Sequence, residues 1–204
     1  MIAIKDFKLS EFDSKTSPGT GRLMRVGTLI KLQAAREVYG APLTIAHAFR
    51  TKADARRIKA KHPGAVENSA HESGYALDLY PTAGIKGYGD WVKLLDAFWD
   101  AGFRRFGIMA NTLHVDDDPG RPFPALWKYP QTDARIWEEV KKWYEAKVDV
   151  DNLLASGTPY VIRFKVPANT DINFTDAILG DISINTNQVD DKVLLKSNGV
   201  GSLS

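Results

Sequence analysis

The sequence predicts an α+β protein, a small antiparallel sheet with flanking helices followed by a β-rich C-terminal extension. Segments with helical apolar spacing alternate with short apolar runs of strand length up to about residue 148. Beyond Val150 the pattern changes to brief strands, "YVIRFKV", "AILGDISINT" and "DKVLLK", separated by Pro, Asn, Asp and Gly. All five tryptophans and all four histidines precede that change, which sets residues 1–148 apart as one domain and 149–204 as the extension.

The elements follow in order. "RLMRVGTLIKLQAAREVYG" reads as an amphipathic helix with Val26, Leu29, Ile30 and Val38 near one face and Gly40 as its stop. "PLTIAHAF" reads as a short strand, and "TKADARRIKAKH" as a polar, basic helix ending near Pro63. "YALDLY" is a strand with Ala76, Asp78 and Tyr80 on one face. In "DWVKLLDAFWDAG", Asp90 suits the helix cap and Gly102 the position after its end. "FRRFGIM" and "TLHVD" form a pair of strands. "TDARIWEEVKKWYEAKV" is a helix with Ile136, Val140 and Trp143 on one stripe and a Glu138–Lys142 pair outside. "SNGVGSLS" reads as a flexible tail.

Composition narrows the chemistry. At 204 residues the chain is long enough for a proper core, and a net charge of +2 does not by itself indicate a nucleic-acid partner. Cysteine is absent, which excludes disulfides, thiolate metal sites and a Cys nucleophile. Any metal must therefore be held by His, Asp or Glu. No apolar run approaches the ~20 residues of a membrane span. The opening "MIAIKDFKLSEF" lacks the basic and apolar regions of a secretory signal peptide.

Two segments concentrate the chemistry, "SAHESGYALDLY" (Ser69–Tyr80) and "TLHVDDD" (Thr112–Asp118). His71 and Asp78 are seven residues apart. On a helix that separation is about 10 Å and in a straight strand over about 20 Å, neither of which brings both to one ion. The chain must double back between them, and Gly74 supplies the permissive backbone. In the second segment alternation places Thr112, His114 and Asp116 on one face. Asp78 and His114 on neighbouring strands, with His71 from a loop, make three N/O ligands with an open position, the catalytic pattern for zinc. A histidine beside an apolar strand is also a common hydrogen-bonded surface group, so spacing alone leaves that alternative open. His47 and His62 have no acidic partner nearby in sequence and read as ordinary histidines.

Ser69, His71, Gly74, Ala76 and Asp78 match S-x-H-x-x-G-x-A-x-D, and the chain resembles the zinc D,D-peptidases, the D-alanyl-D-alanine carboxypeptidases and related murein endopeptidases. "LHVDDDPG", with Trp127 further on, resembles the second-ligand segment of that family. "FKLSEF" (Phe7–Phe12) resembles the F-x-L-S-E-F opening of a phage-rich branch, and "AHAFRT" its S-G-Y-R-S segment, with Arg50 at the arginine. The resemblance runs from residue 5 to about 128 and does not reach the extension. It implies Zn2+ in a cleft, held by His71, Asp78 and His114, and an Arg50 that binds a substrate carboxylate or steadies the scissile carbonyl. Ser69 is expected to orient the His71 loop by hydrogen bonding and, with Arg50, to bind the substrate.

Many relatives carry an acid three residues before the second His, as base for the metal-bound water. Here that position is Asn111, which takes no proton. Three expectations follow: Asp116 serves as base, another acid such as Glu72 does, or the protein binds without cutting. Alternation favours Asp116. "AHA" (Ala46–Ala48) also departs from the small-residue pattern of the family, which bears on substrate fit. The expected partner is a peptidoglycan stem peptide, cut by D,D-carboxypeptidase or endopeptidase action. The alternative is a virion or cell-wall-binding protein that retains the fold, with residues 149–204 as its contact to virion proteins. The expected location is the phage particle, or the host envelope after release.

Overall fold

The computed structural model describes residues 4–61, 68–164, 169–188 and 192–197. His62 and most of the expected tail lie outside them. Tertiary contacts divide the chain into two compact units, Met1–Val148 and Asp149–Ser204. Among the described residues no helix is long and apolar enough to cross a membrane.

In the first unit two 3-10 turns (Leu9–Phe12 and Thr20–Leu23) lead into α1 (Val26–Tyr39), β1 (Leu43–His47) and α2 (Lys52–Lys61). Then come β2 (Ala76–Pro81), α3 (Tyr88–Asp100), β3 (Arg105–Ile108), β4 (Leu113–Asp116), β5 (Ala125–Lys128) and α4 (Ala134–Ala155), which crosses the unit boundary. The strands form one sheet in the order β1-β2-β4-β3-β5. All neighbours are antiparallel except β3 and β5. The expected antiparallel sheet is therefore mixed at one edge. β5 has too short a run to stand out in sequence, and its pairing to β3 is decided by tertiary contact.

The helices stop where the sequence expects and face where it does not. Gly40 ends α1 at φ +73°, a conformation that costs glycine little. The buried side of α1 is Leu29, Leu32, Ala35 and Tyr39, which packs towards α3, whereas Val26, Ile30 and Val38 are about half exposed. Leucines and alanine at three- and four-residue intervals face the core, and Val26, Ile30 and Val38 are left outside. Asp90 lies inside the first turn of α3 rather than at its cap, and its carboxylate accepts the Lys86 amide at 2.7 Å. Gly102, at φ +92°, follows that helix as expected. On α4, Lys142 reaches Glu139 at 3.4 Å instead of Glu138.

Leu32, Trp91, Leu94, Leu95, Phe98, Leu77, Leu79 and Phe106 form the centre of the core, all essentially without exposure. Burying side chains of this size contributes about 1.5–3 kcal/mol each before entropy is subtracted. Trp99 stacks on Phe106 and meets Trp143 and Tyr144 edge-on, which ties α4 to α3 and β3. Phe7 and Phe12, 5.9 Å apart, anchor the opening segment in the same core.

In the second unit β6 (Val161–Phe164) pairs with β9 (Lys192–Lys196), and β7 (Asp171–Asp176) with β8 (Gly180–Asn185), giving two separate two-stranded sheets. The β7–β8 turn is closed by Asp176, whose carboxylate accepts the Ile178 and Leu179 amides, and by Gly180 at φ +75°.

Candidate functional site

The site is one row of residues across the sheet. His47 of β1 is in register with Asp78 of β2, Asp78 with His114 of β4, His114 with Gly107 of β3, and Gly107 with Trp127 of β5. Residues opposite one another on neighbouring strands share a face. A register irregularity between Ile45 and His47 brings the imidazole into the row. His114 Nδ1 lies 2.8 Å from Asp78 Oδ1, and His47 Nδ1 3.7 Å from Asp78 Oδ2.

His71 enters from the loop before β2. Gly74 turns that loop at φ +75°, and a Cβ there would meet the Leu23 carbonyl oxygen at 2.5 Å. No other residue fits both the dihedral and the space. The Gly74 carbonyl accepts the Arg25 amide at 3.0 Å, and Ser69 Oγ lies 3.4 Å from the His71 amide. The His71 ring donates from Nδ1 to the Ala48 carbonyl at 2.7 Å and presents Nε2 to Asp78 Oδ2 at 3.4 Å.

One donor atom from each of His71, Asp78 and His114 lies within 4.8 Å of the other two, and all three residues are buried. The chemistry of the set fits a metal. With Nδ1–H committed to Ala48, neutral His71 points a lone pair at an anionic carboxylate oxygen. A cation between them, proton or metal, satisfies both groups. Burial opposes the charge on Asp78, yet His71 and His114 hold its carboxyl well below the usual carboxylate range. Burial likewise opposes the charge on His114, but hydrogen bonds with Asp116 and Asp78 raise it to about 9. A bound metal would take the place of that proton.

Asp116 shares the face of His114, as alternation predicts, but stands behind it. Oδ2 lies 3.3 Å from His114 Nε2, and Oδ1 accepts Arg105 Nε at 2.8 Å and lies near the Asp118 amide. Burial works against its ionisation, while His114 and Arg105 together hold its pKa below the ordinary value. Both oxygens are engaged on the side of His114 away from Asp78. That geometry suits a carboxylate that orients His114. Glu72 is similarly engaged, with Oε1 accepting the Ser69 amide at 3.0 Å. Asn111 is exposed in the β3–β4 turn. Arg50 donates its amide to the His71 carbonyl at 3.1 Å and lines a cavity with His47.

Several contributors, His47, Gly107 and Tyr129 among them, were invisible to sequence reasoning, and Trp127 was marked only by the family resemblance. His47 has no acid near it along the chain, and only the β1–β2 register reveals Asp78 beside it. Burial, the largest influence, lowers its pKa, and Asp78 partly restores it. Gly107 is small because the Trp127 indole lies where its Cβ would be, at 2.7 Å. This lets Trp127 pack on the His114 ring (5.2 Å) and under the Arg105 guanidinium (5.4 Å). Tyr129, just past β5, senses Asp78, Arg50 and Asp116, and burial pushes its phenol up. No sequence signal marks it.

The sequence model for Peptidase M15 matches residues 5–116, more than half of the chain and all three clustered residues. The chain belongs to the peptidase M15 family. The M15 region therefore accounts for the row up to His114, while Trp127 and Tyr129 lie beyond the matched span. A solved structure, the L-Ala D-Glu endopeptidase ChiX of Serratia marcescens, aligns with a TM-score of 0.37 and 17% identity over 47% of this chain and 80% of that one. Residues 129–202 match a different family, the catalytic domain of class I tRNA synthetases (E and Q). The glutamate–tRNA ligase of Finegoldia magna is 53% identical over 51 residues, 25% of this chain and 10% of the ligase. That of Clostridioides difficile is 46% identical over 54 residues, 26% of this chain and 11% of the ligase. The chain thus spans about a tenth of the length of these ligases. The synthetase match begins before α4, whose Val140 and Tyr144 are buried in the core of the M15 unit.

Proposed function

We propose that the M15 unit hydrolyses a peptide bond in the peptidoglycan stem, with zinc held by His71 Nε2, a carboxylate oxygen of Asp78 and His114 Nδ1. The observation that carries this reading is the convergence of those three buried donors. Zinc in such a site supplies Lewis acidity and a water acidic enough to act near neutral pH. The chain supplies the rest. The Ala48 carbonyl sets the tautomer of His71, and Asp116, itself fixed by Arg105, sets that of His114. Arg50 carries a guanidinium suited to a substrate carboxylate or the charge that develops on the scissile oxygen. His47, in contact with Asp78 and about half exposed, is the group best placed to pass a proton in the absence of an acid at Asn111.

The test is purified protein on muropeptides, with metal content measured in parallel. Cleavage that a chelator abolishes and zinc restores is expected. Full activity after zinc removal, or intact muropeptides with zinc bound, would sink the peptidase reading. The phage setting rests on the "FKLSEF" resemblance, and the association of residues 149–204 with a virion is part of the same proposal. Mass spectrometry of purified particles checks both, and absence of the protein from particles would remove the virion role.

A further inference from the structure

A cavity of about 200 Å³ opens beside the His71–Asp78–His114 cluster without being part of it. His47, Ala48 and Arg50 form the shared wall, and each touches the cluster: His47 through Asp78, Ala48 through the His71 ring, Arg50 through the His71 carbonyl. The far wall is α2 and the segment around Ser14. The charges there are unequal. Lys15, Arg50, Arg57 and Lys61 line the cavity, against Asp13 and Asp54.

Both carboxylates are already spent on the fold. Asp54, 5% exposed, accepts hydrogen bonds from Ser14 and Thr16 and pairs with Arg57 at 3.0 Å. Asp13 accepts the Gly19 and Gly21 amides at 2.9 and 2.6 Å. Among the described residues neither Lys15 nor Lys61 pairs with an acid, and both are exposed at the rim. Two ammonium groups facing a recess whose acids are internally satisfied make a field that attracts an anion.

We propose that this cavity is a subsite for a substrate carboxylate, recognised by Lys15 and Lys61 and separate from the group that Arg50 steadies. It rests on the peptidase reading for the identity of the peptide. The M15 unit would then prefer stem peptides with a free carboxylate next to the scissile bond over amidated ones, a distinction made by charge and not by shape. In a stem peptide two carboxylates qualify, the α-carboxylate of D-Glu and the C-terminal one.

The full chain is titrated with the pentapeptide L-Ala-γ-D-Glu-L-Lys-D-Ala-D-Ala, its D-Glu α-amide and its C-terminal amide. A chelator keeps the peptides intact, and a Lys15→Glu/Lys61→Glu variant is run alongside. Both lysines are exposed, so the variant should melt with the wild type. The free peptide is expected to lose roughly tenfold in affinity to the variant, and one of the two amides to lose as much in the wild type and nothing further in the variant. That amide names the carboxylate. Equal losses for all three peptides, or no loss for any, overturns the subsite. Cleavage with zinc is scored separately. Charge-selective binding without cleavage keeps the subsite and removes the peptidase reading, whereas cleavage indifferent to amidation at either position does the reverse.

Discussion

Leu94 in α3 and Ile178 in the β7–β8 turn are both aliphatic, yet the first is 0% exposed and the second 92%. The contrast runs through the two units. In residues 1–148, α1, α3 and α4 close over a five-stranded sheet, and large side chains from every layer meet in one core. In residues 149–204, strands pair two by two, Ile172 and Phe174 remain nearly half exposed, and Thr186 is the one buried side chain among the described residues. Apolar content is not what separates the units. A two-stranded ribbon is marginal in water unless something packs on its face. The site exists only where that layering exists, because a row of five residues across a sheet needs five strands held in register.

Five substitutions sharpen that contrast, taken from the largest expected effect downwards. His71→Ala removes one of the three clustered residues proposed to hold zinc, and muropeptide cleavage should fall by roughly 1000-fold or more while the melting profile of the M15 unit persists. Retained cleavage would break the link between the row and the activity. Leu94→Ala should cost about 2–5 kcal/mol in chemical denaturation, whereas Ile178→Ser should stay within about 0.5 kcal/mol. Similar costs at the two positions would dissolve the distinction between the units. Asp116→Asn keeps the shape behind His114 but loses the carboxylate, and zinc affinity measured by chelator competition should fall about 10–100-fold. If affinity holds and cleavage alone collapses, Asp116 is the base after all.

The smallest effect concerns Asp54. Hydrogen bonds from Ser14 and then Thr16, opposed by burial, lower its pKa. A depressed carboxyl stabilises the fold above its ordinary value near 3.8, and that contribution is lost as pH falls through the lower folded value. Asp54→Asn should lower Tm by a few degrees at neutral pH and remove this part of the acid-side decline. A decline of unchanged depth in the variant would assign it to other carboxylates.

Much of this was legible because it is local. The reversal at Gly74, the alternation that puts Asp78 on one face of β2 and His114 on one face of β4, and the stops at Gly40 and Gly102 follow from dihedrals and periodicity. The change of pattern after Val150 is likewise a property of neighbouring residues. Asp116 shows the limit of such reasoning. Alternation placed it correctly on the face of His114, but only packing shows that Arg105 and the His114 Nε2 edge claim both oxygens.

What the sequence alone singled out is therefore the trio His71, Asp78 and His114, which the fold clusters, and the backbone devices that let each reach inward. What the tertiary structure decided is their company: His47 across the β1–β2 register, Trp127 over Gly107, Tyr129 at the edge, and Val26 and Ile30 outside rather than within. The reason is physical. Periodicity specifies which way a side chain points relative to its own strand or helix, but strand order and register are set by contacts between residues dozens of positions apart, and no local pattern encodes them.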